Sequence, residues 1–350
     1  MHDYTCSFRN VYKKQVLMIK VSFIIPMYNA EKYIGNCLRS ILDQGLNEDE
    51  YEVIVINDGS TDDGPKIVHS FTETHAHFRM VSQDNSGISA ARNNGLALAQ
   101  GQYIHWIDAD DMLAKVRGVK RVLEIACQGN FDAVRCNSIT IDNHTKIPRE
   151  GKEEINILYK GAALDKFKND GFSTFVWNTL YNREFLIKNH LAFKAFAMGE
   201  DDLFNIEVLR CNPNVCCTDA LIYLYFLRKG SAVNNVDRKH LKRIIDGYLE
   251  LSKTLYVYRK TDSQLSVLYQ KRLARWRQLT FTRLLSGAFS YRETKCIVSK
   301  IQSVVEFPAN RGRIDSIIRF SFRYPVVMYL ASPLFRYLFL PFIKPLIKRN

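Results

Sequence analysis

From Val21 to about Ala109, short runs of β-branched and aromatic residues alternate with apolar residues at helical spacing. Val21-Ser-Phe-Ile-Ile-Pro26 reads as a buried strand. The wider run Val16–Met27 carries Lys20 in its middle and lacks a small-residue cleavage site, which fits a first strand rather than a signal peptide. Met18 leads straight into that strand, so it stands as an alternative start, with residues 1–17 as an N-terminal extension. Ala30–Asp43 sets Tyr33, Ile34, Leu38, Ile41 and Leu42 on one helical face, with Asn29 as the expected cap. Tyr51–Ile56 is the second strand. Thr61 is expected to cap the next helix, placing Asp62 and Asp63 in a first turn whose dipole favours acids. Phe78–Ser82 is a third strand, Ser89–Ala99 an Ala-rich helix and Tyr103–Ile107 a fourth strand. Residues 112–129 read as helix, 132–141 as extended chain and Asp142–Lys146 as a polar hairpin. Beyond about residue 235 the pattern turns to long helical segments without strands.

Strand–helix alternation with short links predicts an α/β fold around a mostly parallel, doubly wound sheet. Such sheets bind ligands at the carboxyl ends of their strands. The polar clusters fall there: Pro26-x-Tyr28-Asn29, Asn57-Asp58-Gly59-Ser60, Asp84-Asn85 and Asp108-x-Asp110 follow the four strands in turn.

Composition narrows the class. With 47% hydrophobic and 24% charged residues in 350, the chain is globular rather than disordered. Mean hydropathy is −0.18, which excludes a polytopic membrane protein. The eight cysteines form no C-x-x-C pair, so a zinc ribbon or finger is not expected, and they read as reduced thiols. The net charge of +13 is unevenly placed. Residues 1–227 hold 24 Lys and Arg against 29 Asp and Glu, whereas residues 228–350 hold 25 against 7. The basic excess therefore belongs to the last third, where it is either a solvated surface or a contact for lipid head groups or phosphate. Residues 324–343 are almost wholly apolar but are broken by Arg336 and by prolines at 325, 333 and 341. They read either as a broken helix lying in a membrane interface or as a helix packed on the protein.

Three constellations carry chemistry. Asp108-Ala-Asp110, with Asp111 behind it, offers carboxylates at a strand end that can share a hard divalent cation with phosphates. On the same edge, the Tyr28 ring can stack on a base and Asp58 can accept from a base N–H, which suits a pyrimidine nucleotide. Gly199-Glu-Asp-Asp202 places three acids at a helix start, where they complement the dipole or supply a general base near an acceptor hydroxyl. Tyr225-x-x-Arg228-Lys229 is a basic turn that reads as a surface turn or as a clamp on a leaving diphosphate.

Together, Val21–Gln44, Tyr51–Asp62, Asp84–Gly95, Gly101–Asp111 and Gly199–Phe204 resemble glycosyltransferase family 2, with its GT-A fold, over roughly residues 18–232. The resemblance implies a catalytic domain over 18–232 and a basic, mainly helical region over 233–350. It implies that Pro26, Tyr28 and Asp58 hold the uridine of a UDP-sugar, with Asp84, Asn85 and Arg92 flanking nucleotide and sugar. Asp108 would face the ribose or sugar and Asp110 would coordinate Mn or Mg; the family pattern is variable where this chain has Arg228-Lys229, so donor binding by Arg228 at the diphosphate rests on the basic turn itself. Asp201 would be the catalytic base, although Asp202 stands where the family usually has an apolar residue and shifts that assignment by one if it faces the acceptor instead. Glu200 and Trp177 would lie on the acceptor side. The implied reaction is an inverting transfer of a hexosyl or N-acetylhexosaminyl group to a saccharide or lipid-linked saccharide in cell-surface polysaccharide synthesis. The expected location is cytoplasmic, peripheral at the inner face of the plasma membrane.

Other classes fit less well. A nucleotidyltransferase needs a Gly-rich basic loop after its first strand, where this chain has Met27-Tyr-Asn-Ala-Glu-Lys32. A non-catalytic binder would not need every acidic position. No nucleic-acid recognition module or stacking platform accompanies the basic third.

Overall fold

The computed structural model describes residues 18–334 apart from 115–116, 143–144, 146–153, 197, 229–236, 288 and 305–312. The extension 1–17, most of the expected hairpin, Lys229 and residues 335–343 lie outside the described residues. Strands β1 (Val21–Met27), β2 (Tyr51–Asn57), β3 (Phe78–Ser82) and β4 (Tyr103–Trp106) lie parallel in the order β3-β2-β1-β4. They are linked by helices α1 (Ile34–Leu42), α2 (Gly64–Thr74) and α3 (Ile88–Leu98). This half is the parallel sheet that the alternation predicts.

The starts of α1 and α2 differ from expectation. α1 begins at Ile34 and α2 at Gly64, each several residues after its expected cap. Asn29 and Thr61 bind each other instead: Asn29 Oδ1 accepts from the Thr61 backbone N–H at 2.8 Å, and the Asn29 N–H donates to Ser60 Oγ at 3.0 Å. The Glu31 N–H likewise donates to Asp62 at 2.8 Å. The cap-type residues thus lace two neighbouring loops together, a use of short polar side chains that competes with helix capping.

Among the described residues five more strands join the sheet: β5 (Met112–Leu113), β6 (Ala133–Ile141), β7 (Ile157–Ala162), β8 (Thr179–Asn182) and β9 (Asn214–Phe226). The order continues β4-β8-β6-β9-β5, with β7 also on β9. Here β6 and β9 run parallel, while β4–β8, β6–β8, β5–β9 and β7–β9 are antiparallel. Residues 112–113, expected to begin a helix, pair with Tyr223 and Leu224, so α4 (Gly118–Gly129) starts later. The short helices α5 (Ala163–Phe167) and α6 (Arg183–Lys188) follow β7 and β8.

Alternate residues of β1 feed two cores. Ile24 joins a cluster with Ala91 and Leu96 of α3, while Phe23 and Ile25 join one with Leu38 and Ile41 of α1. This period-2 division, with both faces buried, is what a sheet covered by helices requires. Gly95 permits the close packing of α3, since a Cβ there would meet Ile24 at 2.3 Å. The helices α8 (Arg238–Thr261) and α9 (Ser266–Ser286) place Ile244, Tyr248, Leu251 and Trp276 in the first of these cores. The opposite side of α8 and α9 forms a separate cluster with α10 (Tyr291–Val304), α11 (Arg313–Arg323) and α12 (Pro325–Leu334). α12 buries Met328 there and leaves Val326, Tyr329 and Leu330 exposed. Among the described residues, no helix is long and apolar enough to cross a membrane.

Candidate active site

The carboxyl ends of β1–β4 gather most of the candidate residues. Pro26 is buried in β1 opposite Ile56, and Tyr28, just beyond it, exposes 54% of its surface. Asp58 is buried at the end of β2 and is fully engaged. One carboxylate oxygen accepts from Gln83 at 2.7 Å and the Ser86 N–H at 2.8 Å, and the other accepts from the Gly87 N–H at 2.9 Å. The carboxylate therefore caps the entry to α3 from a neighbouring loop, at the end where a helix favours negative charge. It also fixes the turn carrying Asp84 and Asn85, both exposed. Gly59, at φ +74°, lets the two loops approach, because a Cβ there would meet the Asn85 backbone nitrogen at 3.1 Å.

Arg92 on α3 is the hub of the site. Its side chain is 1% exposed and its guanidinium bridges three acids from two distant segments. It donates to Asp108 at 2.9 Å, to Glu200 at 3.4 Å and, at closer range, to Asp201. The Phe193 ring lies against it, 5.0 Å from centroid to guanidinium carbon. Burial opposes the charge on Arg92, but the three carboxylates outweigh it and hold the guanidinium firmly protonated. Asp201 is pushed up to about 7, first by burial and then by Glu200 and Asp108, against the pull of Arg92.

The loop after β4 forms the acidic end. Asp110 is 48% exposed and pairs with Arg228, whose guanidinium lies 3.8 Å from the Tyr33 ring centroid. Asp111 is buried, accepting from the Tyr223 hydroxyl and the Phe226 N–H at 2.9 Å each. Burial and the nearby Asp108 and Asp110 charges raise it to about 8. Asp110 is raised as well, by partial burial and Asp108, despite Arg228. This loop crowds three carboxyl groups together, which is why Asp110 and Asp111 are raised, and its donors are hard oxygens. Both properties fit Mn or Mg, which use one or two protein carboxylates together with substrate phosphates.

Helix α7 (Glu200–Arg210) separates its three leading acids. Glu200 and Asp201 turn to Arg92, while Asp202 accepts from the Trp276 indole N–H at 3.1 Å and pairs with Arg272 at 3.4 Å, both on α9. The helical turn sends consecutive residues about 100° apart, so Asp202 faces the C-terminal helices and not the site. Trp177 is buried within a stack. Its ring lies 4.3 Å from Tyr223, 4.8 Å from Phe175 and 5.8 Å from Tyr225, all near parallel. Tyr223 joins this stack to the acidic loop by donating to Asp111 and accepting from the Asp108 N–H at 3.1 Å.

The arrangement thus joins an acidic loop, a buried arginine hub and a raised carboxylate at the edge where a doubly wound sheet binds ligands. The glycosyl transferase family 2 profile matches residues 22–204, which include β1, the Asp108–Asp111 loop and the α7 acids. The chain belongs to glycosyl transferase family 2. It is similar to the uncharacterized glycosyltransferase EpsJ of Bacillus subtilis (strain 168), 33% identical over 59% of this chain and 60% of EpsJ. The chain thus spans somewhat under two thirds of that relative. It is 25% identical to the poly(ribitol-phosphate) beta-N-acetylglucosaminyltransferase TarP of Staphylococcus aureus (strain N315), over 74% of this chain and 80% of TarP. Among solved structures it resembles residues 1–349 of S. aureus TarS in complex with UDP-GlcNAc, with a TM-score of 0.62 and 20% identity over 89% of each chain. The likeness to TarS confirms the GT-A fold.

Several residues of the candidate site escaped the sequence reading, and Tyr225 entered it only as the start of the basic turn. Tyr33, Phe193 and Tyr223 contact the charged groups, and Phe175 and Tyr225 extend the Trp177 stack. The spacing Tyr223-x-Tyr225 places both rings on one face of β9 and was the available signal, whereas Phe175 and Trp177 meet across a bend and turn before β8.

Proposed function

We propose that the chain is an inverting glycosyltransferase that moves a sugar from a UDP-sugar to a hydroxyl of a saccharide or lipid-linked saccharide. The observation that carries this reading is the junction at Arg92, where the raised Asp201 carboxylate stands beside the Asp108 loop. In this mechanism Asp201 takes the proton of the acceptor hydroxyl, whose oxygen bonds to the anomeric carbon as the carbon–diphosphate bond breaks. A single displacement from the opposite face inverts the anomeric centre. Tyr28, Pro26 and the Asp58-braced turn with Asp84 and Asn85 hold the nucleotide, and Asp108 faces the ribose or sugar. Arg228 exchanges Asp110 for the departing diphosphate. Asp110 would hold a Mn or Mg ion, which when bound supplies positive charge at that diphosphate. Phe175, Trp177 and Tyr225 form a wall on the acceptor side, where Glu200 stands beside the base.

Release of nucleoside diphosphate from a panel of nucleotide sugars, with Mn, with Mg and with chelator, tests this reading. Metal-dependent hydrolysis of one UDP-sugar is expected, and Asp110→Ala should reduce it by at least about tenfold, given that metal clamps contribute several kcal/mol. Unchanged release under chelator would remove Asp110 from its metal role.

The GlcNAc transfer named for TarP, and the UDP-GlcNAc held by TarS, support an N-acetylhexosaminyl donor and a bacterial surface polymer as acceptor. An inner membrane surface is the proposed workplace. No acid occurs after Asp315, while Arg319, Arg323, Arg336, Lys344, Lys348 and Arg349 do. Ile317, Phe320 and Leu330 expose 58%, 54% and 67% of their surfaces on α11 and α12. Basic residues near an anionic surface contribute about 1 kcal/mol each. Co-sedimentation is therefore expected with anionic vesicles, weaker with zwitterionic ones, and reduced by high salt and by Leu330→Glu. Equal recovery in the supernatant under all conditions would exclude the membrane contact.

A further inference from the structure

The sheet edge opposite the catalytic loops carries a second set of ligating side chains. Glu48 precedes β2, His75 ends α2 and His77 immediately precedes β3. One ligand atom from each lies within 4.8 Å of the other two. Glu48 Oε2 is 4.0 Å from His77 Nδ1, and the two imidazole centroids are 5.7 Å apart. The turn is fixed by its backbone, with the Phe78 N–H donating to the His75 carbonyl at 3.0 Å and the Val53 N–H to the His77 carbonyl at 2.9 Å. The His77 side chain is only 9% exposed, set edge-on against Tyr51 at 4.5 Å and Phe78 at 4.9 Å. Nδ1 of His75 and Nε2 of His77 are buried and meet no hydrogen-bond partner among the described residues. Buried ring nitrogens ordinarily find a partner, and here each imidazole has one without a partner while His77 turns its other nitrogen, Nδ1, toward Glu48.

We propose that Glu48, His75 and His77 form a binding site for a borderline divalent transition metal, with Zn²⁺ as the ion that suits them. Two imidazoles and one carboxylate are a donor set for zinc rather than for magnesium. Zn–N bonds of about 2.0–2.1 Å place tetrahedral ligands roughly 3.3 Å apart. The cluster needs a modest contraction, in which Glu48, 75% exposed, rotates inward and the two imidazole rings turn toward the shared centre. Burial and the neighbouring His75 hold His77 toward the neutral, ligating form, against the opposing pull of Glu48. Three protein ligands leave one position for water. The ion ties the loop before β2 to the turn before β3, at the amino ends of strands whose carboxyl ends carry Asp58 and Asp84.

The test uses the full chain stripped of metal by chelator and titrated with Zn²⁺, followed by calorimetry and thermal melting. One zinc equivalent should bind and raise Tm in the wild type and in Asp110→Asn. In the His75→Gln/His77→Gln double variant that equivalent should weaken at least 100-fold, and zinc should no longer raise Tm above that variant's own metal-free value. Nitrogen-15 histidine spectra of the wild type provide a check that needs no variant: two of the eight histidines should shift on adding zinc. Absence of binding, equal affinity in the double variant, or shifts at other histidines would each overturn the assignment.

Discussion

Asp201→Asn is expected to lower transfer by about 10²–10⁴-fold, the usual contribution of a positioned general base, while donor binding persists. The amide keeps the size of the side chain and a hydrogen-bonding oxygen for Arg92, so the loss falls on proton transfer. The pH profile adds a second readout. Burial, Glu200 and Asp108 raise the Asp201 carboxyl to about 7, and only its ionised form accepts a proton. Transfer by the wild type should therefore rise as pH climbs through about 7 and level off above it. Asp202→Asn should behave differently. Its partners are Trp276 and Arg272 on α9, so this change weakens the seating of the C-terminal helices and lowers Tm, with little effect on the pH profile. If Asp201→Asn kept near wild-type transfer and Asp202→Asn abolished it, the base would be Asp202.

The other large effect is expected at Arg92. Arg92→Met removes the guanidinium that joins Asp108, Glu200 and Asp201 and leaves three clustered carboxylates without their shared cation. Breaking a buried charge network from one side costs about 3–5 kcal/mol. The partially exposed acids place this site at the lower end, and a Tm several degrees below wild type should accompany loss of transfer. The pH dependence has a definite sign. Arg92 pulls the Asp201 carboxyl downward, so its removal carries that carboxyl above about 7. A carboxyl whose folded pKa is raised costs stability as pH rises from its unfolded value through its folded one. Wild type and variant share the same loss up to about pH 7, so the deficit of the variant should be level below that and grow above it, which melts between pH 5 and 9 would read. A deficit constant with pH would mean that the loss comes from packing against Phe193 rather than from charge.

Much of the site was legible because its residues follow strands directly. Strand ends converge on one edge of a parallel sheet whatever the details of the loops, so Tyr28, Asp58, Asp84 and Asp108–Asp110 could be placed together from spacing alone. The readings that shifted depended on competition between equivalent partners. Asn29 and Thr61 are good helix caps, but each had a neighbouring loop to bind, and the loop pairing prevailed. Met112 and Leu113 suited a helix until β9 offered them a ladder. Asp58 read as a ligand residue and is also a brace, a duty visible only once the Ser86 and Gly87 amides arrive beside it.

The sequence by itself determined the parallel half of the sheet, the family, the acidic loop and the concentration of basic charge in the last third, because these rest on local periodicity and fixed motif spacing. The tertiary structure decided which of the adjacent acids faces the site, since consecutive residues on α7 diverge and their partners lie on α3 in one direction and α9 in the other. It also decided the strand directions beyond β4, the Trp177 stack and the pairing of Glu48 with His75 and His77. Each of these joins segments far apart in the chain, where contact depends on how the whole sheet and its helices close and leaves no periodic trace.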